Sequence, residues 1–148
     1  MAEPRSKRMQ VVLMLAERTE QAAAQRLGHY RDQVKAEQEQ LQQLAEYTEQ
    51  YLHSHTERTT GIHADELISF SNFIQRLGAA KKEQELKLAR MQQTLDQIQR
   101  DWREKYQKRH SIQELITRLQ HEENALLEKR LQKELDDLSA QQFQRRSH

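Results

Sequence analysis

Seven histidines, three glycines and no cysteine bound the chemistry this chain can attempt. His53, His55 and His63 stand around a short Ser/Thr/Gly stretch and could approach one metal ion. No cysteine exists, and no carboxylate stands at a spacing that would complete the ligand set. These three therefore read as a solvated loop, and His110 and His121, set among charged residues, read as surface. Gly28, Gly61 and Gly78 lie too far apart to cradle a phosphate, which needs clustered glycines. No serine is placed with a histidine and an acid in a way local sequence supports. Basic and acidic residues are mixed along the chain, so no stripe for nucleic acid stands out. The expectation is a protein without catalytic residues, cofactor or metal.

What remains is a patterned apolar band. Gln40, Leu44, Tyr47 and Tyr51 repeat at steps of four, three and four, and so do Phe73, Leu77, Ala80 and Gln84. Tyr47, Tyr51, Phe70 and Phe73, with Tyr30 further off, gather within a few helical turns if the chain folds back near Gly61. Such a cluster can weld a hairpin end, or it can anchor a partner, since aromatics are enriched at interface anchors.

These residues must be carried by helices. Of 148 residues, 35% are hydrophobic and 32% charged, with a net charge of +1 and only three glycines and one proline. Mean hydropathy is -1.09. That is too little apolar material for a compact core and too few turn residues for a turn-rich fold. Charge alone argues for neither nucleic acid nor a membrane surface. Residues 9–16 form a short apolar run after Arg5, Lys7 and Arg8, but Glu17, Arg18 and Glu20 follow at once, unlike a signal peptide. No stretch approaches the roughly 18 apolar residues of a membrane span.

Alternating steps of four and three give a seam at Met9, Leu13, Ala16, Glu20, Ala23, Leu27, Tyr30, Val34, Glu37, Leu41, Leu44, Thr48 and Tyr51. A second seam runs through Phe70, Ile74, Leu77, Lys81, Gln84, Leu88, Met91, Leu95, Ile98, Trp102, Lys105, Arg109, Ile112, Ile116 and Leu119. After Leu119 the pattern slips, and apolar residues resume at Leu127, Leu131, Leu135 and Leu138. Glu83–Lys87 stands at i,i+4 in the favourable order. The reading is an all-α antiparallel two-helix coiled-coil hairpin in a single domain over 1–148. Helix 1 spans about 5–56, a turn about 57–64, and helix 2 about 65–143. With the fold point at Gly61, helix 1 covers helix 2 only to about residue 117, which leaves the last leucines without a partner.

Three segments resemble the FliJ family of flagellar export chaperones: EQLQQLAEYTEQY over residues 39–51, SFSNFIQRL over 69–77, and DWREK over 101–105. Length and two-helix plan are similar as well. The resemblance implies a hairpin like the gamma-subunit stalk of rotary ATPases. It implies a soluble component of the flagellar type III export apparatus that promotes the hexameric export ATPase (FliI), contacts the transmembrane export gate (FlhA) and handles export chaperones. Such a protein would be cytoplasmic and peripheral at the inner face of the inner membrane, with no membrane insertion and no nucleic acid. The family's gate-binding positions fall on Gln40, Leu44, Tyr47, Tyr51, Phe73, Leu77, Ala80 and Gln84, the last being commonly His in the family. A stalk would place Leu127, Leu131, Leu135 and Leu138 in the ATPase ring. A non-flagellar type III stalk, a prefoldin-like or tubulin-cofactor-like chaperone and a cytoskeletal dimer share the helical plan. Prefoldin, however, needs strands that 57–65 does not suggest.

Overall fold

The structure, a computed structural model, describes residues 3–57 and 63–146. They form two α-helices, α1 (Arg5–Glu57) and α2 (Ala64–Arg146). The expected fold point at Gly61 and most of the expected turn lie outside the described residues. The two helices pack against each other, and no strand occurs among the described residues. None of their helices is long and apolar enough to cross a membrane, and they hold no metal-binding cluster of His and carboxylates. By contact the chain divides into two units: Met1–Ala22 with Arg103–His148, and Ala23–Trp102.

In the second unit the buried residues are Ala23, Leu27, Val34 and Ile98. They occupy the a/d positions the spacing predicts, one apolar side chain per half-heptad. The pairing is antiparallel. Lys87 meets Glu37, Gln84 meets Gln40, and Phe73 meets Tyr51, so each step forward in α1 is matched by an equal step back in α2. Lys87 donates to Glu37 Oε1 across the seam at 3.0 Å, and so serves the helix pair rather than only its own helix. Lys81, expected in the seam, is exposed. Its ammonium keeps its hydration, and its stem stays in water with it, unlike that of Lys105, which is half-buried in the other unit.

In the first unit the buried residues are Ala16, Ile116, Leu119 and Ser6. A polar seam pair fixes its register. Glu20 accepts from Arg109 Nε at 2.6 Å and from Nη2 at 3.3 Å. Arg109 also donates to Gln113, and its guanidinium lies 4.9 Å from the Tyr106 ring centroid. The fork matches the carboxylate in two places and stacks on an aromatic face, which a lysine could not do. The Glu20 bond raises the Arg109 pKa above its ordinary value.

The start of α1 carries Arg5, Lys7 and Arg8 and no acid in its first turn, an arrangement that opposes the helix dipole. The Pro4 carbonyl accepts from Lys7 and Arg8. Glu123 of α2 supplies the missing negative charge, accepting from the Ser6 N–H at 3.0 Å and from its hydroxyl at 2.5 Å. A carboxylate from the facing helix thus caps an otherwise unsatisfied donor. The helix pair therefore extends to Glu123, beyond residue 117. Ser6 and Glu20 are two heptads apart in α1, and so are Glu123 and Arg109 in α2.

The bonds from Ser6 hold the Glu123 carboxyl below its ordinary value. A lowered folded pKa means stability that is fully present above the unfolded value and is lost as pH falls through the folded one. We expect Glu123→Gln to melt earlier than wild type at pH 7, with the gap closing toward pH 3. A gap of constant size across that range would show that the charge is irrelevant.

Gly28 and Gly78 are both inside helices, and a Cβ built on either meets no atom within 4 Å. Gly28→Ala and Gly78→Ala should each stabilise by about 0.5–1 kcal/mol, read from denaturant midpoints.

Candidate functional site

The sequence-derived stripe falls in the second unit and is split by burial. Gln40, Tyr47 and Ala80 are exposed, whereas Leu44, Tyr51, Phe73, Leu77 and Gln84 are half-buried. Tyr47 leaves 51% of its surface in water and lies 6.4 Å from Tyr51, centroid to centroid. Tyr51 is the hub. Its ring is 4.6 Å from Phe73, 5.6 Å from Phe70 and 4.6 Å from His55. Rings at these distances and tilts stabilise one another beyond their area alone. The cluster is therefore both a weld and a surface: Tyr51 and Phe73 join the helices, and Tyr47 stands out beside them. Phe73, which like Tyr47 stands outside the series read at four- and three-residue steps, is part of the weld.

His55 is the residue that spacing did not reveal. It stacks on Phe70 at 4.2 Å with ring planes 10° apart, and its Nδ1 is buried without a hydrogen-bond partner. It is helical, inside the span of about 5–56 expected for helix 1, although the Ser/Thr content around it also allowed a solvated loop. The missed signal is its step of four from Tyr51, which continues the α1 seam by one turn. His53, by contrast, is exposed and meets Glu57 at 3.2 Å. Tyr51, His55, Asp65, Glu66, Ser69, Phe70 and Phe73 line a shallow groove beside the cluster. Gln84 donates to Glu37 at 3.3 Å and to Gln40 at 3.2 Å, so it ties the lower end of the stripe to α1.

The first unit carries a second apolar surface. Leu126, Leu127, Leu131, Leu135, Leu138 and Phe143 are all more than half exposed, because α1 begins only at Arg5 and α2 continues beyond Glu123. Val11 and Leu15 of α1 are exposed at 60% and 58%, and they were not singled out from the sequence. Val12, Leu15, Ala16 and Thr19 line a groove with Ile112, edged by Lys105 and Lys108. Neither surface assembles a nucleophile, a paired acid and base or a ligand set. Both offer area for another protein.

The family profile described as "Flagellar FliJ protein" matches residues 5–148. The chain belongs to the FliJ family. It is 33% identical over 127 residues to the flagellar FliJ protein of Salmonella typhi, covering 84% of this chain and 86% of that one. Identity to the flagellar FliJ protein of Escherichia coli K12 is 32% over 127 residues, with the same coverage. No solved structure matches it. FliJ membership makes the chain a component of flagellar export.

Proposed function

We propose that this FliJ-family protein is a non-enzymatic link that promotes the hexameric export ATPase and couples it to the membrane export gate. It acts at the cytoplasmic face of the inner membrane and takes part in handling export chaperones. The observation that carries this reading is the division of the stripe. Tyr47, Gln40 and Ala80 are open to solvent while Tyr51 and Phe73 hold the helices that present them. A docking patch needs rigid aromatic anchors on a fixed support, and this one has both. The gate subunit is its proposed partner. The leucine tail of α2, with Val11 and Leu15 of α1, is proposed to enter the ATPase ring in the manner of a rotary stalk.

Tyr47→Ala tests the gate half. Its side chain supports little of the helix pair, so affinity for the cytoplasmic part of the gate should fall by about 1–3 kcal/mol, the range of interface anchors. Helicity and ATPase stimulation should stay near wild type. Titration calorimetry with the purified gate domain reads the affinity. Unchanged affinity with a large loss of thermal stability would overturn the docking role.

A further inference from the structure

We propose that the free protein pairs with a second copy of itself through the tail of α2, the two tails lying antiparallel. The tail from residue 124 to Arg146 is helical and exposed throughout, and its leucines are exposed by 51–59%. At 1.5 Å per residue it is about 34 Å long, roughly three heptads, enough to form a coiled-coil seam.

Leu127, Leu131, Leu135 and Leu138 fall at steps of four, four and three, within an arc of about 80° at 100° per residue. Arg130, Glu134 and Asp137, at steps of four and three, form one flank of that arc. The other flank carries Glu128 and Ser139.

The flanks choose the direction. In an antiparallel pair each flank faces the same flank of the other copy. Matching Leu127 with Leu138 of the second copy sets Leu131 beside Leu135. Arg130 then reaches Glu134 and Asp137 of the second copy, and the contact is made twice by symmetry. A parallel pair would instead face Arg130, Glu134 and Asp137 against the flank of Glu128 and Ser139. There Glu134 faces Ser139, and the arginine loses its two acids. Charge at flanking positions sets orientation in coiled coils. Among the described residues, Arg130, Glu134 and Asp137 make no ion pair within the chain. Antiparallel pairing also points each copy's helix pair away from the other's. The same leucines are those proposed above for the ATPase ring, so pairing would hold them covered until the ring competes for them.

The test uses the full chain, which has no cysteine of its own. Sedimentation equilibrium from about 1 to 200 µM should show a rise from the monomer mass toward twice that mass. Under mild oxidation, Leu127→Cys mixed with Leu138→Cys should form a mixed disulfide in preference to either variant alone. Charge reversal guards against a loss of affinity caused by the cysteines. Arg130→Glu alone and Glu134→Arg/Asp137→Arg alone should each be at least fivefold weaker in self-association, and their mixture should recover it. A monomer at every concentration, with the tail free for other partners only, would overturn the proposal. So would cross-linking of Leu127→Cys to itself, which marks parallel pairing.

Discussion

Deleting residues 127–148 should abolish the proposed stimulation of the export ATPase and leave affinity for the proposed gate partner within about twofold of wild type. That is the expected result if the two surfaces have separate partners. The segment removes Leu127, Leu131, Leu135, Leu138 and Phe143, all exposed, and touches nothing that holds Ser6 to Glu123 or Glu20 to Arg109. Burial of four leucines would contribute on the order of 6–10 kcal/mol gross at about 1.5–3 kcal/mol each, before the cost of ordering. A loss of that size is enough to end binding outright. ATP hydrolysis by the purified ring, with full-length or shortened protein added, reads one half of the prediction. Calorimetry with the gate domain reads the other. Full stimulation by the shortened protein would remove the tail from the ring, and loss of gate binding would show that the two surfaces are not separable. Hydrogen exchange adds a direct view. Amides beyond about residue 124 should exchange fast in the free protein at low concentration and become protected on ring binding.

Much of this arrangement is legible in the sequence because a coiled coil writes its core as a period. The α1 residues read at four- and three-residue steps, from Met9 through Tyr51, all have reduced exposure, and so do those of α2 apart from Lys81; Phe73, Leu115 and a few other neighbours share it. Glu20, Glu37 and Arg109 interrupt the apolar pattern, and periodicity alone cannot say what they meet. Their partners lie across the hairpin, at positions set by a stagger that no local signal encodes. The reach of α1 to Glu123 was hidden for the same reason. The leucine tail was legible as apolar, and its exposure follows only once the end of the facing helix is placed. Val11 and Leu15 went unread because they stand beside seam residues in an apolar run and face away from them. His55 was obscured by the Ser and Thr around it, which favour caps and turns in general; here Thr56 bonds back to the Leu52 carbonyl at 2.6 Å, inside the helix. The stripe from Gln40 to Gln84 was legible as spacing, but its division into weld and surface depends on which rings touch.

Ile98→Ala should be the most damaging single truncation in the second unit, with a cost of about 2–4 kcal/mol. Ile98 is 5% exposed, and removing a buried isoleucine side chain loses both its transfer free energy and the contacts around the cavity. The lower part of that range is expected for a physical reason. Among the described residues no large side chain is buried below 2%, so a two-helix seam has walls on few sides and can settle into the gap. Even about 2 kcal/mol is a large share of the 5–15 kcal/mol that holds an ordinary domain. Leu44→Ala is the control. Leu44 is only half-buried, so it should cost roughly half as much, although it belongs to both the seam and the docking stripe. Urea unfolding followed by circular dichroism at 222 nm gives both values. Equal costs would mean that the seam near Leu44 is packed as tightly as at Ile98, and that Leu44 acts on the gate only through the fold. A much smaller cost at Leu44 together with weakened gate affinity would instead place its methyl groups in the interface.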